Sequence, residues 1–205
     1  MAAPRFATVG VTEHGNSAVL VTLAGGELVD RRLIQLTRDL PTHPHHHEGS
    51  WAVGRYRDSP WSREISLAEA LALVERVREA AARGAREGLE ELAAAVSLPI
   101  RSIAIRECPE LPPTTEARIA DHRAQTVADS VMYREALALA ATARGWSVHW
   151  YDRERVLREA AAALGREDVD AFLRALRRAH GPPWDAKHKL AAAAALAAAG
   201  RSAPS

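Results

Sequence analysis

The stretch FATVGVTEHGNSAVLVTLAGGELVDRRLIQL, residues 6–36, decides the fold. Its first two apolar, β-branched runs, at 6–12 and 17–24, flank the turn-forming sequence EHGN, which is typical of a β-hairpin. A Gly-Gly pair then turns the chain into a third run at 27–36, in which apolar and polar residues alternate imperfectly. The pattern predicts that the chain opens with a meander of three antiparallel strands.

The rest of the chain alternates helical and strand patterns. A capping box, Ser66-Leu-Ala-Glu69, predicts the start of a helix that continues to about Val96, with a weak point at Gly84 or Gly88. The elements predicted after it are a strand at 102–107, a long helix at 116–144, a strand at 146–151 and helices at about 153–164, 168–179 and 185–199. This order predicts an α/β fold: a five-stranded mixed sheet, three antiparallel then two parallel strands, with helices on both faces.

Length and composition limit the classes of protein. The 205 residues suit one domain at 1–200, with a long loop at 37–65 and a disordered tail at 201–205. A single cysteine, Cys108, excludes an intramolecular disulfide framework and a cysteine-rich zinc site, which favours a cytoplasmic protein. No apolar segment is long enough to span a membrane. The net charge is only +1, but 25 of the 27 basic residues are arginine, so the composition is compatible with a local phosphate-binding groove.

Four short patches carry a family resemblance. They are VGVTE at 9–13, AIRE at 104–107, ARGWSV at 143–148 and WDAKHKLAA at 184–192. In this order and spacing the chain resembles the ribonuclease H-like superfamily, nearest its Holliday-junction resolvase branch. The resemblance implies carboxylates on the first strand, the fourth strand and the last helix. They would hold two divalent metals, Mg²⁺ or Mn²⁺, for hydrolysis of nucleic acid. A dimer is compatible with the resemblance, although no interface is identifiable.

The first two acidic positions depart from the family pattern. The pattern places acids where Thr12 and Arg106 stand, whereas the acids here come one residue later, as Glu13 and Glu107. A one-residue offset in a strand turns a side chain to the opposite face of the sheet. Both acids are displaced in the same direction along neighbouring parallel strands. Their side chains can therefore still lie close together at the carboxyl edge of the sheet. The alternative is that Glu13 is a turn residue and Glu107 a strand-end carboxylate.

The last helix carries a better-matched pair. Asp185 and His188 are three residues apart and share a helix face. Asp185 is predicted to bind a metal, and His188 to bind a metal or carry a proton. The catalytic candidates are thus Glu107, Asp185 and His188, with Glu13, Glu107 and Asp185 as metal ligands. The alternative to these roles is that Asp185 is an acid that stabilises the helix dipole and that His188 is a surface residue.

A histidine-rich string, PTHPHHHE at 41–48, lies inside the long loop. Histidine and glutamate are ligands for transition metals, and His46, His47 and Glu48 are therefore further metal-ligand candidates. Neighbouring residues rarely all face one ion without an irregular backbone, so a solvated polar loop is the alternative. This string does not belong to the ribonuclease H-like pattern.

Three functions are compatible with these observations. The first is a divalent-metal-dependent nuclease, with nucleic acid as its partner. The second is a catalytically degenerate binding or assembly module, which Thr12 and Arg106 favour because an arginine at a metal site would repel the cation. The third is a small-molecule metal enzyme centred on the histidine-rich loop, for which an enclosed pocket is expected. The chain contains no P-loop, G-x-G-x-x-G, G-x-S-x-G or H-E-x-x-H motif.

Overall fold

The computed structural model describes residues 6–46, 65–166 and 168–201. Within these residues the predicted sheet is present, in the strand order β3-β2-β1-β4-β5. β1 pairs antiparallel with β2 and parallel with β4, while β2–β3 is antiparallel and β4–β5 is parallel. The strands are β1 (Ala7–His14), β2 (Ser17–Ala24), β3 (Glu27–Gln35), β4 (Ile100–Arg106) and β5 (Ser147–Tyr151). The predicted five-stranded mixed sheet, with three antiparallel and then two parallel strands, is confirmed.

Six helices in the described residues cover the two faces of this sheet. They are α1 (Leu67–Ala95), α2 (Thr115–Ala120), α3 (His122–Ala143), α4 (Val156–Leu164), α5 (Val169–His180) and α6 (Ala186–Arg201). One apolar core lies between the sheet and helices α1 and α3, and a second core lies between the sheet and helices α4 to α6. None of the described helices combines the length and the apolar character that a bilayer span requires.

Alternate residues of β1 point to the two cores. Val9 and Val11 are fully buried in the core with α1 and α3. Gly10 faces the other way, and a Cβ atom there would collide with the carbonyl oxygen of Ala191. Helix α6 therefore lies directly against the backbone of β1, and the first turn of α6 lies near the carboxyl end of that strand. This packing places the patch at 184–192 beside the strand ends, as the family resemblance implies.

Helix boundaries differ from the predictions at two places. The predicted single helix at 116–144 is two helices, because Asp121 adopts an extended backbone conformation between α2 and α3. Its carboxylate accepts hydrogen bonds from the amides of Arg123 (2.7 Å) and Ala124 (3.1 Å), as an N-cap does. The second place is inside α1, which runs unbroken through Gly84 and Gly88, where a weak point was predicted. A Cβ at Gly84 would collide with the carbonyl oxygen of Leu36, so this glycine lets an unbroken helix approach the end of the meander.

Candidate functional site

A groove lies at the carboxyl ends of β1 and β4, the edge at which ligands of open sheets usually bind. It consists of two adjoining cavities of about 650 and about 800 Å³, both half-open to solvent. This shape differs from the enclosed pocket expected for a small-molecule metal enzyme. We call this feature the edge groove. The residues that line both of its cavities are Arg106, Ser130, Arg134, Tyr151 and Arg153.

The first-strand residues Thr12 and Glu13 point to opposite faces of the sheet. The Thr12 hydroxyl donates to the carbonyl oxygen of Lys187 on α6, at 3.2 Å. The Glu13 carboxylate instead pairs with Arg134 of α3, which donates from Nε at 2.7 Å and from Nη2 at 2.5 Å. Both side chains of this ion pair are only 6% exposed. The one-residue offset therefore turns the acid away from the last helix and onto a buried arginine.

On the fourth strand, Arg106 and Glu107 also separate. Arg106 lines both cavities of the edge groove, at the position where the family pattern has an acid. Glu107 follows the end of β4, and its carboxylate is 49% exposed and lies 3.5 Å from Arg155. Only the backbone carbonyl of Glu107 joins the buried ion pair, because it accepts a hydrogen bond from Nη1 of Arg134 at 2.8 Å. The Glu107 side chain thus pairs with Arg155, and not with Arg134.

Asp185 and His188 pair with each other at the beginning of α6. The Asp185 carboxylate accepts from the amides of Lys187 (2.9 Å) and His188 (3.1 Å) and lies 2.8 Å from Nδ1 of His188. The hydrogen bond with His188 lowers the pKa of Asp185. Asp185 is mostly exposed and lines a smaller cavity beside α5, of about 290 Å³, which shares Ala186 with the first cavity of the edge groove. The pair predicted on one helix face is therefore formed.

The donor set at the strand ends does not fit a pair of divalent cations. Glu13, Glu107 and Asp185 each have a cationic or histidine partner, as described above. Within the described ranges no three histidine, cysteine, aspartate or glutamate side chains are grouped so that they could hold a metal. Thr12 and Arg106 occupy the positions from which the family pattern would supply carboxylates. The metal roles of Glu13, Glu107 and Asp185, and the catalytic roles of Glu107, Asp185 and His188, stay predictions.

Positive charge dominates the first cavity of the edge groove. Arg106, Arg153 and Lys187 line it, and none of the three forms an ion pair with another described residue. The Glu13 carboxylate, the acid in this lining, is already neutralised by Arg134. His14 and His43 add imidazole side chains to this lining. Burial raises the pKa of Tyr151 to about 12, so its hydroxyl stays protonated and adds no negative charge. This cavity is suited to an anion.

The described part of the histidine-rich loop is fixed to α3. The His45 side chain is fully buried, with Nδ1 2.7 Å from Oδ1 of Asp129, and its amide donates to the same oxygen at 3.1 Å. The Tyr133 hydroxyl donates to the carbonyl oxygen of Thr42 at 3.1 Å. His43, half-exposed, lies 3.6 Å from the other oxygen of Asp129 and lines the edge groove. These contacts place one histidine in the core and one at the rim.

The metal ligands predicted in this loop are His46, His47 and Glu48. His46 is partly buried just after the segment fixed to α3. His47 and Glu48 lie outside the described residues. Their metal-binding roles stay predictions.

The His43–Asp129 pair is expected to make stability depend on pH. The neighbouring Asp129 carboxylate raises the pKa of His43 above the ordinary 6.5. Because the pKa of His43 is raised in the folded state, the pair adds its full share to the free energy of unfolding below pH 6.5. This share is lost as the pH rises through the folded-state pKa. Because His43 is half-exposed, we expect His43→Gln to cost about 0.2–1 kcal/mol at low pH and nothing in alkali. Urea unfolding of both proteins across this range measures the difference, and parallel profiles would contradict the expectation.

Proteins similar to this chain are found among solved structures. No family model and no curated protein matches it. Among solved structures it is similar to T. thermophilus RuvC in complex with Holliday junction substrate, with a TM-score of 0.49 and 17% identity over 95% of this chain and 93% of that chain. It is also similar to a second Thermus thermophilus RuvC structure, with a TM-score of 0.47 and 14% identity over 95% and 94% of the two chains. At these identities the similarity concerns the fold alone.

Proposed function

We propose that the edge groove binds the phosphate groups of a nucleic-acid backbone without a metal ion, and that the chain is a binding module and not a metal-dependent nuclease. One observation carries this proposal: the first cavity is lined by three cationic side chains that form no ion pair with another described residue, and its Glu13 carboxylate is neutralised by Arg134. A cavity with this charge attracts phosphate and repels divalent cations.

The types of cation suit a phosphodiester backbone. Arg106 and Arg153 each present a planar guanidinium, which can donate two parallel hydrogen bonds to one phosphate group. Lys187 supplies a further point charge from the first turn of α6. The half-open first cavity leaves room for a chain that continues past the site. Contacts of this kind position a nucleic acid without reading its sequence.

The nuclease alternative needs a different set of side chains. Two-metal hydrolysis requires cations about 3.5–4 Å apart, held by shared carboxylates. Arg106 brings a positive charge to one position of that set and Thr12 brings a neutral hydroxyl to the other. The arrangement supports the degenerate binding module over the nuclease.

Binding in the presence of EDTA tests this proposal. Fluorescence anisotropy would be recorded with 5′-labelled single-stranded, duplex and branched DNA and with RNA, in EDTA or in Mg²⁺. We expect saturable binding in EDTA that Mg²⁺ does not strengthen. For three phosphate contacts to duplex, the logarithm of the affinity should fall with the logarithm of salt with a slope of about −3. Gels of the same samples should show no cleavage. Cleavage, binding that requires Mg²⁺, or no binding to any of these nucleic acids would overturn the proposal.

A further inference from the structure

We infer that the cavity between α5 and α6 is a base-binding subsite: an unpaired nucleobase of a strand bound in the edge groove packs there against the ring of Trp184. The inference rests on the proposed function and names the class of nucleic acid, which is single-stranded. We call this feature the α5–α6 cavity. Arg177, Trp184 and Ala186 are among the residues that line it.

The α5–α6 cavity adjoins the phosphate site. Ala186, at the start of α6, lines both this cavity and the first cavity of the edge groove. The next residue, Lys187, is one of the three cations of the groove, and Trp184 lies two residues before Ala186. A nucleotide whose phosphate binds at Lys187 therefore has the α5–α6 cavity as an immediate neighbour.

The second cavity of the edge groove is a less favourable path for the strand. Three acidic residues belong to its lining, namely Glu107, Asp152 and Glu154. They offset the positive charges of Arg106 and Arg153 there, so this cavity attracts phosphate less than the first cavity does.

The acids of the α5–α6 cavity, by contrast, have partners. Asp170 lies 2.9 Å from Lys189, and Asp185 lies 2.8 Å from His188. Arg177 also lines the cavity and forms no ion pair with another described residue. A strand that leaves the first cavity is therefore attracted toward α5.

The Trp184 ring is held in place beside this cavity. It is half-buried against the second core, and its centroid lies 6.0 Å from both the His188 ring and the guanidinium carbon of Arg31. Arg31 is itself fixed, because it donates to the carbonyl oxygens of residues 180–183 at 2.7–2.9 Å. Aromatic rings take up unpaired bases of any sequence, and a ring that is already fixed loses little entropy on binding.

The lining suits a nucleobase better than a phosphate alone. The buried Leu173 and the Trp184 ring supply apolar surface, and the exposed Arg174 and Arg177 supply charge from successive turns of α5. A base has an apolar face, and its own phosphate carries the negative charge. In a duplex the bases are paired and stacked, so only a single strand or an unpaired end presents one.

Binding of a single strand with and without its bases tests the inference. Fluorescence anisotropy in EDTA would compare a short labelled DNA strand with an abasic strand of the same length, which keeps the phosphates. We expect the wild type to bind the complete strand about tenfold more tightly than the abasic strand. Trp184→Leu should lose most of this preference, and Trp184→Phe should keep most of it. No preference in the wild type, or a preference that Trp184→Leu leaves unchanged, would overturn the inference.

Trp150→Leu is the matched control. Trp150 of β5 is 39% exposed and lines neither the edge groove nor the α5–α6 cavity. The same substitution there should leave the preference for the complete strand unchanged. Equal losses in Trp150→Leu and Trp184→Leu would mean that bases pack on exposed aromatic rings in general, and would overturn the subsite.

A measurement on the wild type covers the case in which Trp184→Leu is recovered only unfolded. The protein would be labelled with 5-fluorotryptophan, and the ¹⁹F resonance of Trp184 would be assigned from its absence in Trp184→Phe. We expect this resonance to shift when the complete strand is added in EDTA and to stay in place with the abasic strand. Equal responses to the two strands, or no response to either, would overturn the inference.

The base subsite and the phosphate groove fail in different ways. Equal binding of the complete and abasic strands by the wild type would overturn the base subsite and leave the phosphate groove in place. A preference for bases that depends on Trp184, together with an affinity that Arg106→Glu/Arg153→Glu leaves unchanged, would overturn the phosphate groove and support the base subsite.

Discussion

Replacing both Arg106 and Arg153 with glutamate is expected to weaken nucleic-acid binding in EDTA by about 100-fold or more. Each charge-assisted hydrogen bond contributes about 1.5–3 kcal/mol, and each 1.4 kcal/mol is about a tenfold change in affinity. The new carboxylates would add repulsion of the phosphates to this loss. Neither arginine forms an ion pair in the described part of the chain, so the melting temperature should change little.

The matched control changes the same total charge elsewhere. Arg86 of α1 and Arg178 of α5 are exposed and do not line the edge groove. We expect Arg86→Glu/Arg178→Glu to reduce the affinity far less than the groove variant does. Equal losses in the two double variants would mean that the whole surface attracts nucleic acid, and would contradict a localised site.

Asp129→Ala is expected to lower the free energy of unfolding by about 3 kcal/mol. Asp129 is 3% exposed and accepts from both the amide and the ring nitrogen of the fully buried His45. Its removal leaves two buried polar groups without an acceptor, at about 1–3 kcal/mol each. Urea unfolding at neutral pH measures the change.

Asp168→Ala is the control for this variant. The exposed Asp168 carboxylate caps α5 by accepting from the amide of Ala171 at 2.8 Å. Loss of such a cap costs about 1 kcal/mol. If Asp129→Ala cost no more than Asp168→Ala, the loop that carries His43 and His45 would not depend on Asp129 for its placement.

The fold could be predicted from sequence because its signals are local. Strand alternation, the turn sequences and the capping box at Ser66 each depend on residues a few positions apart, and together they fix the order of the elements. The break between α2 and α3 was missed because Asp121 lies in an alanine-rich run with a continuous helical pattern. Its preference for the N-cap position was the available signal.

The candidate site could be predicted only in part. The one-residue offset predicted that Glu13 turns to the other face of the sheet, while the displacement it shares with Glu107 favoured a meeting at the sheet edge, and the structure places Glu13 against α3. Its partner could not be found in the same way, because Arg134 is 121 residues away and their pairing depends on how α3 packs on the sheet. The sequence around Arg134 does contain a signal that this residue is paired. It follows the buried residues Val131 and Met132 on an otherwise apolar side of α3, where an arginine usually needs a buried partner.

Amide chemical-shift mapping tests the central claim most directly, namely that phosphate binds at the strand ends without a metal. The ¹⁵N-labelled protein in EDTA would be titrated with an unlabelled oligonucleotide. We expect saturable shifts concentrated at 12–17, 106–108, Arg153 and Lys187, the segments that line the edge groove. Shifts confined to the other face of the molecule, or shifts that develop only after Mg²⁺ is added, would contradict it.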